Sequence, residues 1–427
     1  MKAKFKFLLG TSLIFVLAGC AAKHNDDSPG DSSAPEPYYP IGSRGDSSTG
    51  DYVYDVESSD GEMTSAPGGD SGETTNTNLP RSGQITCGAV DDNKDYAFWH
   101  DMGTTRTNQK GDANEFYNYK SRYAFNTYNR LELNVVNATN AKVKIKGTQY
   151  ETYVDNFHKA FLFPDQSREE YDVEISYVDS NNEVQKVDKT VKNGDTIDLE
   201  QTFTISNNLQ LMFVIDATGS MGDEIRYLQS EIDNVITTVS SDNANANIEL
   251  AILMYRDVGD LEEYLFRYSG FSTDIAKQKN FLINQRAGGG GDFEEAVDQA
   301  MEKAVNEEWK ENATKMIFFV ADAPSHDKDV PTWNAAAMKA ATKGIKIFSV
   351  ASSGINKKTE YFFRSQSVLT GGQYIYITGH SGIGGYHLEA TTKDDVVIEY
   401  LNACMIRLIN GYFTGTLADP VSYVEAN

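Results

Sequence analysis

The second half of the chain alternates short apolar runs with amphipathic stretches, and this alternation restricts the fold more than any other feature of the sequence. Runs with the length of buried strands occupy residues 209–215, 247–255, 316–321, 345–351 and 374–377. Stretches with helical periodicity occupy residues 223–239, 274–286, 293–308, 332–343 and 394–409. Because strands that alternate with helices form βαβ units, the sequence predicts an α/β domain with a mostly parallel sheet and helices on both faces.

Oxygen-bearing side chains follow the apolar runs of this predicted sheet. Asp216, Thr218 and Ser220 come directly after the first run, and Asp322 comes directly after a later one. Asp292 ends a loop of four glycines. Ligands of such sheets bind at the carboxyl ends of the strands, so we expect these side chains to converge on one edge. Carboxylates and hydroxyls suit Mg²⁺, Ca²⁺ or Mn²⁺ rather than zinc or copper, and the pattern predicts one divalent-cation site.

The order of these motifs resembles that of a known family. Residues 216–220 are similar to the DxSxS or DxTxS signature of von Willebrand factor type A domains, which is their metal-ion-dependent adhesion site. Residues 287–295 resemble the glycine loop of that family, and residues 320–323 resemble its aspartate loop. The resemblance covers residues 206–415, near half of the chain.

The resemblance implies a Rossmann-like fold and a role for each matching residue. Thr218 and Ser220 would bind the ion directly, and Asp216 and Asp322 would bind it directly or through water. In that family the open position of the metal takes a carboxylate from a partner protein. Asp292 stands where the family usually has threonine, and a third carboxylate would leave the site with a net charge of −1 and hold the metal more firmly.

The first residues of the chain predict its location. Residues 1–19 contain three lysines followed by a short apolar run that is too short for a membrane span, as in a secretion signal. The segment ends in Leu-Ala-Gly before Cys20 and resembles the lipobox of bacterial lipoproteins, in which this cysteine is lipidated. The resemblance implies a lipid anchor in the bacterial cell envelope, with the outer membrane or the cell surface favoured over the inner membrane.

Two segments of different composition follow the signal. Residues 20–80 are rich in Ser, Gly, Pro and Asp and have few large aliphatic side chains. Such a segment cannot bury enough apolar surface to offset its ordering entropy, so we predict a disordered acidic tether. Residues 81–130 are aromatic and polar, and the sequence leaves their fold open.

A region of short strands precedes the α/β half. Residues 131–205 show two-residue alternation with turn signals between the runs, which predicts a small β-sandwich. The stretch 154–163 weakly resembles the carboxypeptidase-regulatory-like or immunoglobulin-like modules of bacterial surface proteins. Residues 416–427 form a C-terminal tail.

Charge and cysteine content limit the function classes. With 38 Lys and Arg against 62 Asp and Glu, the net charge of −24 argues against nucleic-acid binding. Besides Cys20, the chain contains only Cys87 and Cys404. Outside the cytoplasm this pair suggests a disulfide, and two buried free thiols are the alternative.

These observations predict a membrane-anchored, non-catalytic lipoprotein that binds a protein or matrix partner through a divalent metal. Two alternatives stay open. One is a structural or accessory component of an envelope complex in which the metal only stabilises the fold. The other is a hydrolase in which the metal activates water, which is disfavoured because the sequence shows no general base beside the site.

Overall fold

The structure is a computed structural model that describes residues 79–106, 115–123, 125–258 and 264–424. These residues belong to one compact unit that spans Thr74–Asn427. The predicted secretion signal, Cys20 and nearly all of the predicted tether lie outside the described residues. In the described ranges, no helix combines the length and the apolar character needed to cross a membrane.

Strands and helices both occur along the described residues, with strands alone between residues 131 and 198. The strands are β1 Thr86–Val90, β2 Leu131–Val136, β3 Thr139–Ile145, β4 Glu151–Tyr153, β5 Lys159–Leu162, β6 Tyr171–Val178, β7 Val184–Val191, β8 Thr196–Asp198, β9 Asn208–Asp216, β10 Asn247–Tyr255, β11 Phe266–Ser272, β12 Thr314–Ala321, β13 Ile345–Ala351, β14 Tyr374–Ile377 and β15 Ile398–Tyr400. The helices are α1 Tyr96–Thr104, α2 Glu115–Arg122, α3 Ile225–Asp242, α4 Ile275–Ile283, α5 Val297–Asn306, α6 Val330–Thr342, α7 Lys357–Thr370 and α8 Leu401–Thr414.

An eight-stranded sheet with the order β11-β10-β9-β12-β13-β14-β1-β15 forms the centre of the unit. Strands β10, β9, β12, β13 and β14 are parallel to their neighbours in this series, whereas β11 and β1 pair antiparallel. Successive residues of β9 enter different cores: Met212 packs on one face of the sheet and Phe213 on the other. The predicted α/β fold with a mostly parallel sheet is therefore confirmed, and its central strands are mostly apolar because both faces are covered.

Strand β1 brings the N-terminal aromatic region into this sheet. It pairs with β14 on one side and with β15 on the other. Just before it, the carboxylate of Glu231 on α3 accepts hydrogen bonds from the backbone N–H groups of Gly83, Gln84 and Ile85 at 2.7, 2.9 and 3.2 Å. Helices α1 and α2 contribute aromatic rings that stack around Tyr361 of α7. Cys87 of β1, Trp99 of α1 and Phe116 of α2 thus belong to the same cores as the parallel strands.

Residues 131–198 form two smaller sheets with an apolar core of their own. Their orders are β5-β2-β8 and β4-β3-β6-β7. This β module packs where the parallel strands of the large sheet begin: Asn156 Nδ2 donates to Thr314 Oγ1 at 3.1 Å, and Asp155 pairs with Lys346 at 3.2 Å. We call this the amino edge of the sheet and call the opposite edge, where the parallel strands end, the carboxyl edge. The β module therefore lies away from the carboxyl edge.

Three helices differ from the sequence prediction. Helix α8 begins at Leu401 rather than at residue 394, because the preceding residues pair with β1 as strand β15. Helix α5 begins at Val297 rather than at 293, because Glu295 instead makes an isolated bridge with Ser325. Helix α7 has no counterpart among the predicted helices.

The two cysteines of the described residues lie side by side in one of the two cores. Both Cys87 on β1 and Cys404 on α8 are buried free thiols. Burial raises the pKa of the Cys87 thiol, and the hydrogen bond with Cys404 raises it further. A disulfide between them stays a prediction; recovery of both as free thiols in non-reducing peptide mapping would end it.

Candidate metal centre

The loop after β9 folds back on the last residue of that strand. Asp216 is buried, and its Oδ1 accepts hydrogen bonds from the backbone N–H of Thr218 at 2.9 Å and from the Thr218 hydroxyl at 2.7 Å. The Thr218 Oγ1 also lies 3.2 Å from Ser220 Oγ, which is exposed. The spacing of these residues therefore places the side-chain oxygens of Asp216, Thr218 and Ser220 in a row of hydrogen-bonded neighbours.

Asp322 joins this group from the neighbouring strand. β12 pairs with β9 in parallel, with Val320 opposite Ile215, so the two strands end side by side. The carboxylate of Asp322 is buried, and the neighbouring Ser220 side chain acts to lower its pKa, while its Oδ1 has no hydrogen-bond partner among the described residues. The structure thus brings together four of the five predicted ligands, which we call the first cluster: Asp216, Thr218, Ser220 and Asp322.

The first cluster carries two buried carboxylates close to one another. Burial and then the Asp322 carboxylate raise the pKa of Asp216 well above its usual range. Burial also raises the pKa of Asp322, and the Glu224 carboxylate adds to this effect. Two like charges and an unsatisfied oxygen in a buried position suit a cation, since a divalent ion balances two carboxylates and accepts neutral hydroxyl ligands. The residues present therefore fit a hard divalent ion.

The glycine loop packs against the first cluster through its backbone. Gly219 N–H donates to Gly289 O at 2.9 Å, and Gly288 N–H donates to Ala217 O at 3.0 Å. Gly290 adopts a φ of +88°, and a Cβ added there would lie 3.5 Å from Glu295 Oε1 and 3.6 Å from Thr218 Cβ. Glu295, which is buried, therefore approaches the first cluster although sequence reasoning did not select it. Its place at the end of the glycine-loop segment, residues 287–295, was the available signal.

Asp292, the fifth predicted ligand, contacts a different group. Its side chain is 61% exposed, and its Oδ2 lies 3.9 Å from Nδ1 of His326. The other ring nitrogen of His326 lies 3.4 Å from Asp257 Oδ1. The described contacts of Asp292 therefore place it with His326 and Asp257 rather than with the first cluster.

A second buried carboxylate near the first cluster belongs to Glu224. It accepts hydrogen bonds from the backbone N–H of Ser353 at 3.0 and 3.3 Å through its two oxygens. His387 Nε2 lies 3.9 Å from Glu224 Oε1. Burial raises the pKa of Glu224, and the hydrogen bonds from Ser353 act against this shift. Glu224 thus joins the loops after β9 and β13 to the loop that contains His387.

Comparison with known protein families identifies the domain that contains the first cluster. Residues 210–382 match a family model described as von Willebrand factor A domain. This part of the chain is a von Willebrand factor A domain. Domains of this family often mediate protein binding and often bind a divalent metal. The first cluster lies at the carboxyl edge of this A domain.

Two curated relatives match part of this chain. The chain is 26% identical over 192 residues to the alpha-protein kinase vwkA of Dictyostelium discoideum. This alignment covers 45% of this chain and 31% of the relative. It is 28% identical over 190 residues to the putative ariadne-like RING finger protein R811 of Acanthamoeba polyphaga mimivirus. This alignment covers 40% of this chain and 18% of the relative. The chain thus spans less than a third of the length of either relative.

A solved structure, the pilus adhesin SpaC from Lactobacillus rhamnosus GG, also matches. The match has 11% sequence identity and a TM-score of 0.31, and it covers 50% of this chain and 31% of that chain.

Replacing Gly219 of the A domain with alanine should weaken metal binding and destabilise the protein. A Cβ at Gly219 would lie 2.7 Å from Gly289 O, so the glycine loop must move away from the first cluster. We expect a loss of about 1–3 kcal/mol in the free energy of unfolding, as for other overpacked sites. Gly222→Ala is the matched control, because its Cβ would meet no atom within 4 Å. Equal denaturation midpoints for the two variants would contradict this account.

Proposed function

We propose that this protein is a bacterial lipoprotein whose A domain binds a protein or matrix partner through one divalent ion, Mg²⁺ or else Ca²⁺ or Mn²⁺. The observation that carries the proposal is the first cluster, with two buried carboxylates, an exposed hydroxyl at Ser220 and an unsatisfied oxygen on Asp322. Lipidation of Cys20 would hold the protein in the cell envelope. A Cys20→Ser variant that still partitions into membranes would contradict the anchor.

The residues of the first cluster would hold the ion and leave part of it accessible. Thr218 and Ser220 add no charge, so the carboxylates of Asp216 and Asp322 balance the two positive charges. When bound, the ion supplies a positively charged position for a carboxylate of the partner. Thr218 is oriented by its hydrogen bond to Asp216, and Ser220 stands at the surface. The protein side of the contact is therefore preorganised, which reduces the entropy lost on binding.

Apolar side chains on the neighbouring loops support a protein partner. Val258 follows β10, Phe293 follows the glycine loop and Tyr386 lies on the loop that approaches Glu224, and they are 61%, 39% and 72% exposed. Exposed apolar and aromatic side chains around a polar centre are typical of protein-binding sites. We therefore propose a partner surface with an acidic side chain flanked by apolar ones.

Binding without catalysis is favoured by the positions of the other carboxylates. Glu224 and Glu295 lie near the first cluster, and both are buried. Glu224 is also hydrogen-bonded to backbone N–H groups. A general base must reach the proton that it removes, and neither carboxylate is exposed to do so. The alternative is a metal that only stabilises a component of an envelope complex.

Water relaxation with Mn²⁺ separates recognition from a structural role. Protein-bound Mn²⁺ speeds the relaxation of water protons when it keeps an exchangeable water, as an open position requires. We expect this enhancement in the full chain and expect its loss in Asp216→Asn. A peptide with one glutamate between apolar residues should lower the enhancement, whereas its glutamine counterpart should not. Bound Mn²⁺ without enhancement would indicate a structural ion and would contradict the proposal.

A further inference from the structure

Asp257, Asp292 and His326 form a second group of metal-binding side chains at the carboxyl edge. Each offers one ligand atom, and these atoms all lie within 4.8 Å of one another. The three residues come from different segments: Asp257 follows β10, Asp292 ends the glycine loop and His326 follows β12. None of them belongs to the first cluster. We call them the second cluster.

The chemistry of the second cluster differs from that of the first. The first cluster offers only oxygen atoms, whereas the second offers an imidazole nitrogen with two carboxylates. Imidazole suits zinc and other transition metals, while Mg²⁺ and Ca²⁺ take oxygen ligands. Two carboxylates also balance a divalent charge. The ligand types therefore favour a transition-metal ion of the zinc class.

The segment that carries His326 is held by its neighbours. Ser325 Oγ donates to Asp298 Oδ1 at 3.1 Å on one side. On the other side Asp327 pairs with Lys358 at 2.7 Å and accepts a hydrogen bond from Tyr123 at 2.7 Å. Metal ligands that are fixed in this way lose little entropy when the ion binds.

The exposure of the three ligands leaves the ion reachable. Asp257 is buried, His326 is half-buried and Asp292 is mostly exposed. Ions that enter from solvent would meet Asp292 first. Three protein ligands leave at least one position of a tetrahedral ion for water or for a partner group.

We propose that Asp257, Asp292 and His326 form a second metal site that binds a transition-metal ion, with Zn²⁺ as the representative. The proposal does not rest on the function proposed above, because the ligands are separate. If the carboxylate of Asp292 binds a metal at the second site, it no longer contributes to the charge of the first cluster. The first cluster with a bound divalent ion then has a net charge of zero rather than −1.

Calorimetric titrations of the full chain with Zn²⁺ and with Mg²⁺ test the second site. Mutation of residues that support metal ligands commonly lowers metal affinity about 10–100-fold. Loss of a ligand itself, in His326→Gln or in the isosteric Asp257→Asn, should therefore lower Zn²⁺ affinity at least about 10-fold. Asp216→Asn should leave this Zn²⁺ affinity unchanged. His100→Gln is the matched control, because His100 is exposed on α1 and lies outside both clusters.

The pattern across the variants decides between the outcomes. Zn²⁺ affinity that falls in His326→Gln and Asp257→Asn but not in His100→Gln supports the second site. Equal Zn²⁺ affinity in the wild type and His326→Gln, or no Zn²⁺ binding at all, overturns it. A loss of Zn²⁺ binding in Asp216→Asn as large as in His326→Gln also overturns it, since the ions would share one site. If the protein binds Zn²⁺ but not Mg²⁺, the result counts against metal binding by the first cluster only.

Discussion

We expect Mg²⁺ to stabilise the wild-type protein and expect Asp216→Asn to abolish this effect without destabilising the metal-free protein. An ion that binds only the folded state at a hundred times its dissociation constant stabilises it by about 2.7 kcal/mol. Asparagine removes half of the negative charge of the first cluster and keeps an oxygen that accepts from Thr218. In the metal-free state it also removes the repulsion between Asp216 and Asp322.

Thermal unfolding with excess Mg²⁺ and with a chelator measures both parts of this prediction. The metal-free variant should unfold at the same temperature as the metal-free wild type or higher. Asp233→Asn is a suitable control, because Asp233 is half exposed and pairs with Lys279 away from the first cluster. A Mg²⁺-dependent shift in Asp216→Asn as large as in the wild type would show that the ion binds elsewhere.

The pH dependence of the metal-free protein follows from the same two carboxylates. Burial raises the pKa of both Asp216 and Asp322, so their charged forms are less favourable in the folded state than in the unfolded state. The folded state therefore holds more protons, and stability falls as the pH rises from the unfolded value of about 4 through the raised pKa values. We expect this fall to be smaller in Asp216→Asn.

Replacing Arg364 with methionine should cost about 3–5 kcal/mol of the free energy of unfolding, as expected when one partner of a buried ion pair is removed. The guanidinium is fully buried on α7, where Nε donates to Asp92 at 2.9 Å and Nη1 donates to Glu360 at 2.9 Å. Nη1 also donates to the backbone oxygen of Thr391 at 2.7 Å. Methionine fills similar space but leaves two carboxylates buried with less compensation.

Chemical denaturation compares this variant with an exposed arginine. Arg122 pairs with Asp327 but is 67% exposed, so Arg122→Met should cost less than about 1 kcal/mol. Adding Asp92→Asn to Arg364→Met should restore part of the lost stability, because one uncompensated charge disappears. A loss below about 1 kcal/mol in Arg364→Met would mean that the buried charges contribute little.

The parallel sheet and the first cluster were predictable because their signals are local. Each apolar run of β9 or β12 ends in an oxygen-bearing side chain, and parallel strands end at the same edge. The convergence of Asp216 and Asp322 then follows from the pairing of these two strands. The alternation of strands with helices also predicted that both faces of the sheet are covered.

Other parts of the fold depend on contacts that no local pattern records. Strand β1 is separated from its partner β14 by most of the chain, and nothing within its own residues specifies that neighbour. Helix α7 lacks an exposed polar face, because Arg364 and Gln366 are buried against Asp92 and Trp333. Without the alternation of apolar and polar faces, its sequence does not resemble an amphipathic helix.

The glycine loop shows why the fifth ligand was harder to assign. Gly289 and Gly290 adopt φ values of +78° and +88°, which set the direction of the residues that follow. In this conformation Asp292 contacts His326, and Glu295 approaches Thr218. The sequence shows the acidic residues but not the dihedral angles that distribute them.

The position of β1 has a mechanical consequence for an anchored protein. Tension on the chain before residue 79 would reach the A domain through Gly83–Ile85 and then through β1. Because β1 is hydrogen-bonded on both sides, a pull along the strand would have to break its hydrogen bonds to β14 and to β15 together. Under the proposed lipid anchor and partner, a strand held in this way would resist force, and the carboxyl edge would keep its shape while the two pull in different directions.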